Sequence, residues 1–234
     1  MVDGPVLVAD AFTAGAAIEA LYLGPDVELA DLGVDPATTR GVRVLRVAGG
    51  VLERVLDPVA PRPVAAVVAR PGPGAAAEAV FAASDPTRPV LALVGVADPG
   101  NAGTLLRSAE AFGCAGVIAT AGSVDLTSPK CVRASAGSTF RVPWSEGIRA
   151  VSLVPAAQQA GRAVVASVAR GGVDADALDW PEGAVVCVGN EAHGLPDHVV
   201  DAADIRVTIP LEGNVESLNA AMAGTLLLHL ARRR

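Results

Sequence analysis

Ile209-Pro210-Leu211-Glu212-Gly213-Asn214-Val215-Glu216-Ser217-Leu218-Asn219 is the stretch whose reading decides the fold. An apolar, β-branched run (Asp204–Ile209) enters it, and an alanine- and leucine-rich run ending near Ala231 leaves it. The pattern is a strand, a polar loop and a closing helix. We expect that helix to span Val215–Ala231, with Asn214 as N-cap and Glu216 in the first turn, where the helix dipole favours an acid. Asn219 then falls just inside an otherwise apolar helix, where asparagine is disfavoured, so capping alone leaves it unexplained. Ile209, Leu211 and Leu218 form an apolar wall beside Ser217 and Asn219. An apolar wall with a few convergent polar groups is what a small-molecule pocket needs.

Working toward the N-terminus, strands and helices alternate as in a parallel α/β sheet. Val90–Val96 reads as a strand, Ala102–Phe112 as a helix and Gly116–Ala119 as a strand. A helix is expected from near Ser128 to about Ala136, and further strands at Ala163–Ser167 and Ala184–Val188. Two polar, glycine-bearing segments follow strands, at the C-terminal ends where open α/β sheets place their ligands. The first is Asp98-Pro-Gly-Asn101-Ala-Gly103-Thr-Leu-Leu-Arg107, in which Arg107 lies about one and a half helical turns beyond Asn101 and its long fork can reach back over the loop. As a bland alternative, Asn101 is a cap and Arg107 a surface residue. The second is Gly189-Asn190-Glu191-Ala192-His193-Gly194-Leu195-Pro196, whose glycines permit close backbone approach to a ligand and whose Glu191 could fix a hydroxyl or amine. A surface turn is the alternative there.

Residues 1–70 read as a small α/β unit: an apolar start at Val6–Ala9, a helical stretch at Ala11–Leu21, an extended piece at Leu21–Leu23, a half-buried strand at Val42–Val47, a short helix near Val51–Leu56 and a strand at Pro63–Ala69. Residues 71–88, with their Pro-Gly cluster and Ala-rich stretch to about Ala83, are expected to link it to a second domain, 89–234. Gly72-Pro-Gly74-Ala-Ala-Ala77 imitates a dinucleotide-binding fingerprint, but Pro71 and Pro73 remove amides that such a turn offers to a pyrophosphate.

Composition bounds the rest. The 234 residues are 51% hydrophobic and 18% charged, which excludes intrinsic disorder. Aromatics are 3%, so the core must be aliphatic. No apolar run approaches the ~20 residues of a membrane span, and no signal-peptide pattern opens the chain, so a soluble, cytoplasmic protein is expected. Cys114, Cys131 and Cys187 have neither a disulfide nor a metal-ligand spacing, and the three histidines make no metal motif; we expect no metal site. The net charge of −7 gives no global signal for a polyanion partner. Arginines nevertheless gather at 40–70 (Arg40, Arg43, Arg46, Arg54, Arg62, Arg70), and Lys130, Arg133, Arg141 and Arg149 gather at 130–149.

The three polar segments, in this order, resemble motifs 1, 2 and 3 of the SpoU-type (TrmH-like) RNA ribose 2′-O-methyltransferases of the SPOUT superfamily. The matching residues are N-A-G-T-L-L-R at 101–107, G-N-E-A-H-G-L at 189–195 and I-P-L-E-G-N-V-E-S-L-N-A-A at 209–221. Ser128-Pro-Lys130, Arg133 through Gly137 and Phe140-Arg-Val-Pro143 are similar to the connecting region of that family. The resemblance implies a SPOUT-type parallel sheet with a C-terminal trefoil knot, preceded by a small α/β substrate-binding domain. It implies S-adenosylmethionine as cofactor, a homodimer and an RNA substrate, with rRNA favoured over tRNA. By the family pattern Arg107, Asn101, Glu191, Ser217 and Asn219 form the catalytic set, while Gly189, Asn190, Ile209, Leu211 and Leu218 hold the cofactor. Arg107 would contact ribose and phosphate; its pKa above ~12 favours positioning and electrostatics over proton abstraction. A sulfonium methyl needs no metal, only an aligned hydroxyl. The basic, helical lead-in of many relatives is missing before Asp3-Gly4-Pro5. A catalytically silent regulator that binds S-adenosylmethionine and RNA, and a nicotinamide-dependent oxidoreductase, are the alternatives. Intact Arg107, Glu191 and Asn219 argue against the first.

Overall fold

The computed structural model describes residues 1–56, 63–70, 77–83, 85–213 and 215–232. The Gly72–Gly74 fingerprint imitation, Arg62 and the expected cap Asn214 lie outside them. Contacts divide the chain into two units, Met1–Pro71 and Gly72–Arg234.

The first unit runs β1 (Val2–Asp3), α1 (Pro5–Thr13), β2 (Ile18–Leu23), β3 (Arg43–Arg46), α2 (Leu52–Val55) and β4 (Val64–Val68). Its sheet has the order β1-β4-β2-β3, with β2 and β3 parallel and the other pairs antiparallel. The helix expected at Ala11–Leu21 instead starts at Pro5, whose fixed φ suits a first helical turn, and stops before Gly15 at φ 68°. Ile18–Leu23 is drawn into the sheet between β4 and β3, where cross-strand partners override local helix preference. The strand expected to be half-buried, around Val42–Val47, is an edge strand whose four residues are all exposed. Its alternation of arginine with apolar residues therefore does not mark a covered face.

The second unit continues with α3 (Ala77–Ala83), β5 (Val90–Val94), α4 (Pro99–Ala111), β6 (Gly116–Thr120), α5 (Pro129–Ala134), α6 (Ser138–Arg141), β7 (Trp144–Ile148), α7 (Ala150–Gln159), β8 (Val164–Ser167), β9 (Val173–Asp174), β10 (Val185–Gly189), α8 (Asp197–Ala202), β11 (Ile205–Thr208) and α9 (Ala220–Ala231). Seven strands form one sheet in the order β7-β6-β5-β10-β8-β11-β9, and every pairing is parallel. Both faces are covered, so the central strands are continuous apolar runs rather than alternating ones. Leu91, Leu93, Val186 and Val188 face a core that includes Leu105 and Leu106 of α4 and Leu227 and Leu228 of α9. Val90, Ala92, Val185 and Cys187 face the opposite core, with Val80 and Phe81 of α3, Leu153 of α7 and Val199 of α8. Residues 77–83, expected within a linker, are thus part of the larger unit's core. All three cysteines are buried and free; burial pushes each thiol up to about 12.

Two glycines set how closely helices pack around β5 and β10. A side chain at Gly103 of α4 would meet the Cys131 carbonyl oxygen and the Ser135 nitrogen of the next helical segment at 2.5 and 2.8 Å. One at Gly224 of α9 would meet the Leu105 side chain. Between α4 and α9 the Ser108 and Thr225 hydroxyls share a 2.7 Å hydrogen bond. At the other end of the sheet, the guanidinium of Arg162, 4% exposed, donates to the carbonyls of Arg88, Gly183 and Asp85. No helix among the described residues is long and apolar enough to cross a membrane.

The closing helix starts later than expected. It begins at Ala220, and Asn219 is its N-cap, with Oδ1 accepting from the Ala221 and Met222 amides at 2.9 and 3.2 Å. Five residues read as helix, Val215–Asn219, are irregular loop instead.

Candidate functional site

The three singled-out segments converge at the C-terminal ends of β5, β8, β10 and β11. Asp98 caps α4, its Oδ1 accepting from the Asn101 amide at 2.8 Å and its Oδ2 lying 3.3 Å from Lys130 Nζ. The Asn101 amide bond and the Lys130 contact hold the Asp98 carboxyl below the usual range against a smaller desolvation effect.

Glu191 is the joint of the site. Its Oε2 accepts from the Ala97 amide at 3.1 Å, and its Oε1 accepts from the Asp98 amide at 3.1 Å and from Asn101 Nδ2 at 2.9 Å. Desolvation pushes the Glu191 carboxyl up, but these donors, led by the Asn101 side chain, outweigh it and hold the group ionised below the usual carboxylate range. An ionised carboxylate only accepts, so Asn101 must turn Nδ2 toward Glu191 and Oδ1 toward Asn219. Asn219 Nδ2 donates to that oxygen at 3.0 Å, and its own Oδ1 caps α9. One chain of hydrogen bonds therefore joins the first, second and third segments. Glu191 thus ties separate parts of the protein together at the cleft's rim, and Asn219 is explained by two jobs at once.

Asn190 performs a parallel task. Its Nδ2 donates to the Gly95 carbonyl at 2.9 Å, and its Oδ1 accepts from the Ala192 and His193 amides, shaping the turn. The turn closes with reciprocal backbone bonds between Asn190 and Gly194. A Cβ on Gly189 would lie 2.2 Å from the Gly194 carbonyl carbon and 2.4 Å from the Leu195 nitrogen. Only glycine fits there.

Beside this turn opens a cleft of about 520 Å³. Val188, Leu195, Val207, Ile209, Leu211, Leu218 and Leu227 supply its apolar wall, and Gly189, Asn190, Glu191 and Ser217 its polar rim. All five expected cofactor residues line it. Of the expected catalytic residues, Glu191 and Ser217 line it, while Asn101 and Asn219 support it from behind. Arg107 does neither. It is exposed on α4, is not among the cleft's lining residues and hydrogen-bonds to no described residue. Sequence reasoning missed Ser167–Ala169 after β8, together with His193, Asp197 and Glu216, which also line the cleft. The position of Ser167–Ala169 at the C-terminal end of a parallel strand was their one available signal.

An open parallel sheet with an apolar, carboxylate-rimmed cleft at its strand ends defines an α/β protein built to hold a small molecule. Residues 88–229 match the SpoU rRNA Methylase family model, and the chain belongs to that family. It is 36% identical over 142 residues to the 23S rRNA (uridine(2479)-2′-O)-methyltransferase of Streptomyces viridochromogenes, covering 58% of this chain and 49% of that protein. It is 32% identical over 145 residues to the 23S rRNA (guanosine(2553)-2′-O)-methyltransferase RlmP of Bacillus subtilis, covering 62% and 58%. The matched region thus spans about half the length of these curated relatives. The crystal structure of the SpoU methyltransferase AviRb from S. viridochromogenes, in complex with the cofactor AdoMet, superposes with a TM-score of 0.85 at 27% identity, covering 98% of this chain and 87% of that one.

Proposed function

We propose that the protein is an S-adenosylmethionine-dependent RNA methyltransferase that methylates a ribose 2′-hydroxyl, with rRNA favoured over tRNA, and that it works as a homodimer. The observation that carries this reading is the convergence of the three segments on one cleft, tied together by the Glu191–Asn101–Asn219 hydrogen bonds. The AdoMet-bound neighbour and the two 23S rRNA relatives support the cofactor and the substrate class. We also propose that the segments lining the cleft belong to a trefoil knot, as in the family, and that residues 1–70 serve as the substrate-binding domain.

The residues present suit the cofactor. A cleft of about 520 Å³ falls within the usual range for small-molecule sites, its wall suits an adenine ring, and its rim suits ribose hydroxyls and an ammonium. When bound, S-adenosylmethionine supplies an electrophilic methyl group. The protein's part is placement: Gly189 and the Asn190 turn let backbone approach closely, and the Glu191 junction holds the loop before α4 against the N-terminus of α9. Glu191, ionised and already accepting three hydrogen bonds, is not the proton acceptor. Arg107, free of intramolecular partners among the described residues, presents a planar cation to an RNA phosphate and favours loss of the ribose hydroxyl proton through its field.

Mass mapping of ribose methylation in rRNA and tRNA, with and without the protein, tests the activity directly. Arg107→Ala should leave cofactor affinity within about twofold while methyl transfer falls ~10²-fold or more, and Arg107→Lys should rescue it poorly, because a point charge does not replace a planar fork. An equal loss of cofactor affinity would assign Arg107 to the cleft instead.

A further inference from the structure

We infer that the free edge of β3 is the surface of the first unit on which an RNA backbone docks, its phosphates held by Arg40, Arg43 and Arg54. This deepens the RNA-substrate reading above and rests on it. With a net charge of −7 the chain as a whole repels a polyanion, so docking needs a local surface of the opposite sign. Charge is segregated along the first unit. Residues 1–39 carry seven acids and no lysine or arginine, whereas residues 40–54 carry four arginines and the single acid Glu53. β3 is the last strand in its sheet order, and its outer edge pairs with no strand among the described residues.

The four arginines are not equivalent. Arg46 is tied into the unit: its guanidinium pairs with Glu28 at 2.6 Å and donates to the Pro25 and Val27 carbonyls at 3.2 Å. Arg40, Arg43 and Arg54 are exposed and make no side-chain hydrogen bond or ion pair with a described residue. Side chains alternate along a strand, so Arg43 and Leu45 share one face. Leu45 stands beside Tyr22 of β2, and Tyr22 packs against Leu52 of α2, so α2 and its Arg54 lie on that face as well. Arg40 stands just before the same strand. The apolar side chains of Val44, Leu45, Val51 and Val55 are themselves 42–66% exposed, so this edge of the unit is uncovered. A guanidinium fork with no carboxylate of its own is suited to a phosphate, and the exposed apolar groups between the arginines offer contact to sugars and bases.

Filter binding of the full chain to purified 23S rRNA and to bulk tRNA, across a salt series, tests this. In the Arg40→Gln/Arg43→Gln/Arg54→Gln variant, the slope of log affinity against log salt should fall by about 2, because each phosphate contact contributes ~0.7–0.9. Affinity near physiological salt should drop at least about tenfold, while S-adenosylmethionine affinity stays within about twofold and the sedimenting mass is unchanged. Lysine at the same three positions keeps the charges and should restore the slope to within about 0.5 of wild type. An unchanged slope and affinity in the glutamine variant would overturn docking at this edge and leave the RNA reading standing. A lysine variant as weak as the glutamine one would make the arginines structural, and a changed mass would assign the edge to a second copy of the chain; either result overturns the proposal. No binding of wild-type protein to either RNA would overturn the RNA reading, and this edge with it.

Discussion

Glu191 shows how one ionised side chain can set the polarity of a whole site. Its two oxygens take donors from Ala97, Asp98 and Asn101, and that choice passes through Asn101 to Asn219 and into the first turn of α9. Glutamine at 191 would place an NH₂ against at least one of those donors. Glu191→Gln should therefore destabilise the protein by about 1 kcal/mol, a loss trimmed by solvent access at this rim. The pH dependence follows from the direction of the shift. A carboxyl held below its unfolded value contributes stability that is complete above the ordinary carboxylate range and lost as pH falls through its folded value. The difference in melting temperature between wild type and Glu191→Gln should thus be largest near neutral pH and shrink in acid. A difference that grows on acidification would contradict the hydrogen-bond network.

At the scale of elements, the fit between neighbouring helices depends on what stands opposite each glycine. At Gly103 the obstacles are backbone atoms of α5 and the residue after it, which cannot move without shifting the segment. At Gly224 the obstacles are side-chain atoms, the end of Leu105 and Cγ2 of Val188, both on buried residues. Alanine gains roughly 1 kcal/mol over glycine inside a helix, whereas overpacking costs ~1–3 kcal/mol. Gly224→Ala, opposed by side chains alone, should therefore cost less than Gly103→Ala, which should lower stability by about 2 kcal/mol. Chemical denaturation of both variants measures the contrast; equal effects would mean that α5 yields as readily as the Leu105 side chain. Two elements carry no local signal from which to expect them. Pro155 lies inside α7, which was not anticipated, and β7 (Trp-Ser-Glu-Gly-Ile) has no apolar alternation and earns its place only by pairing with β6.

For the molecule as a whole, the open question is what covers α9. Met222 and Leu226 are 61% and 46% exposed, while Leu227 and Leu228 of the same helix are buried inside the unit. A helix apolar on both sides has more surface than one core can use. On the proposed homodimer this second face is the interface. Sedimentation at low micromolar concentration should then show a species near twice the 23.4 kDa chain mass, and Leu226→Glu should return it to the monomer. A wild-type monomer would leave the face without its expected occupant.

The periodic strands and the glycine-bearing loops after them were legible in the chain, as was the apolar wall of Ile209, Leu211 and Leu218, because β-branched runs and special backbone positions declare themselves locally. The family resemblance rested on the same short segments. Tertiary structure alone decided that the strand expected at Leu21–Leu23 begins at Ile18, that 77–83 belongs to the larger unit's core, and that Arg43–Arg46 is an exposed edge. It also decided that Asn219 ends a loop rather than interrupting a helix, since its cap and its bond to Asn101 exist only once residues 118 positions apart are brought together. The same holds for Glu191, whose donors lie 90 to 94 residues away in the chain. Hydrogen bonds of that span leave no period in a sequence; they follow from strand order, and strand order is set by which faces the whole chain must bury.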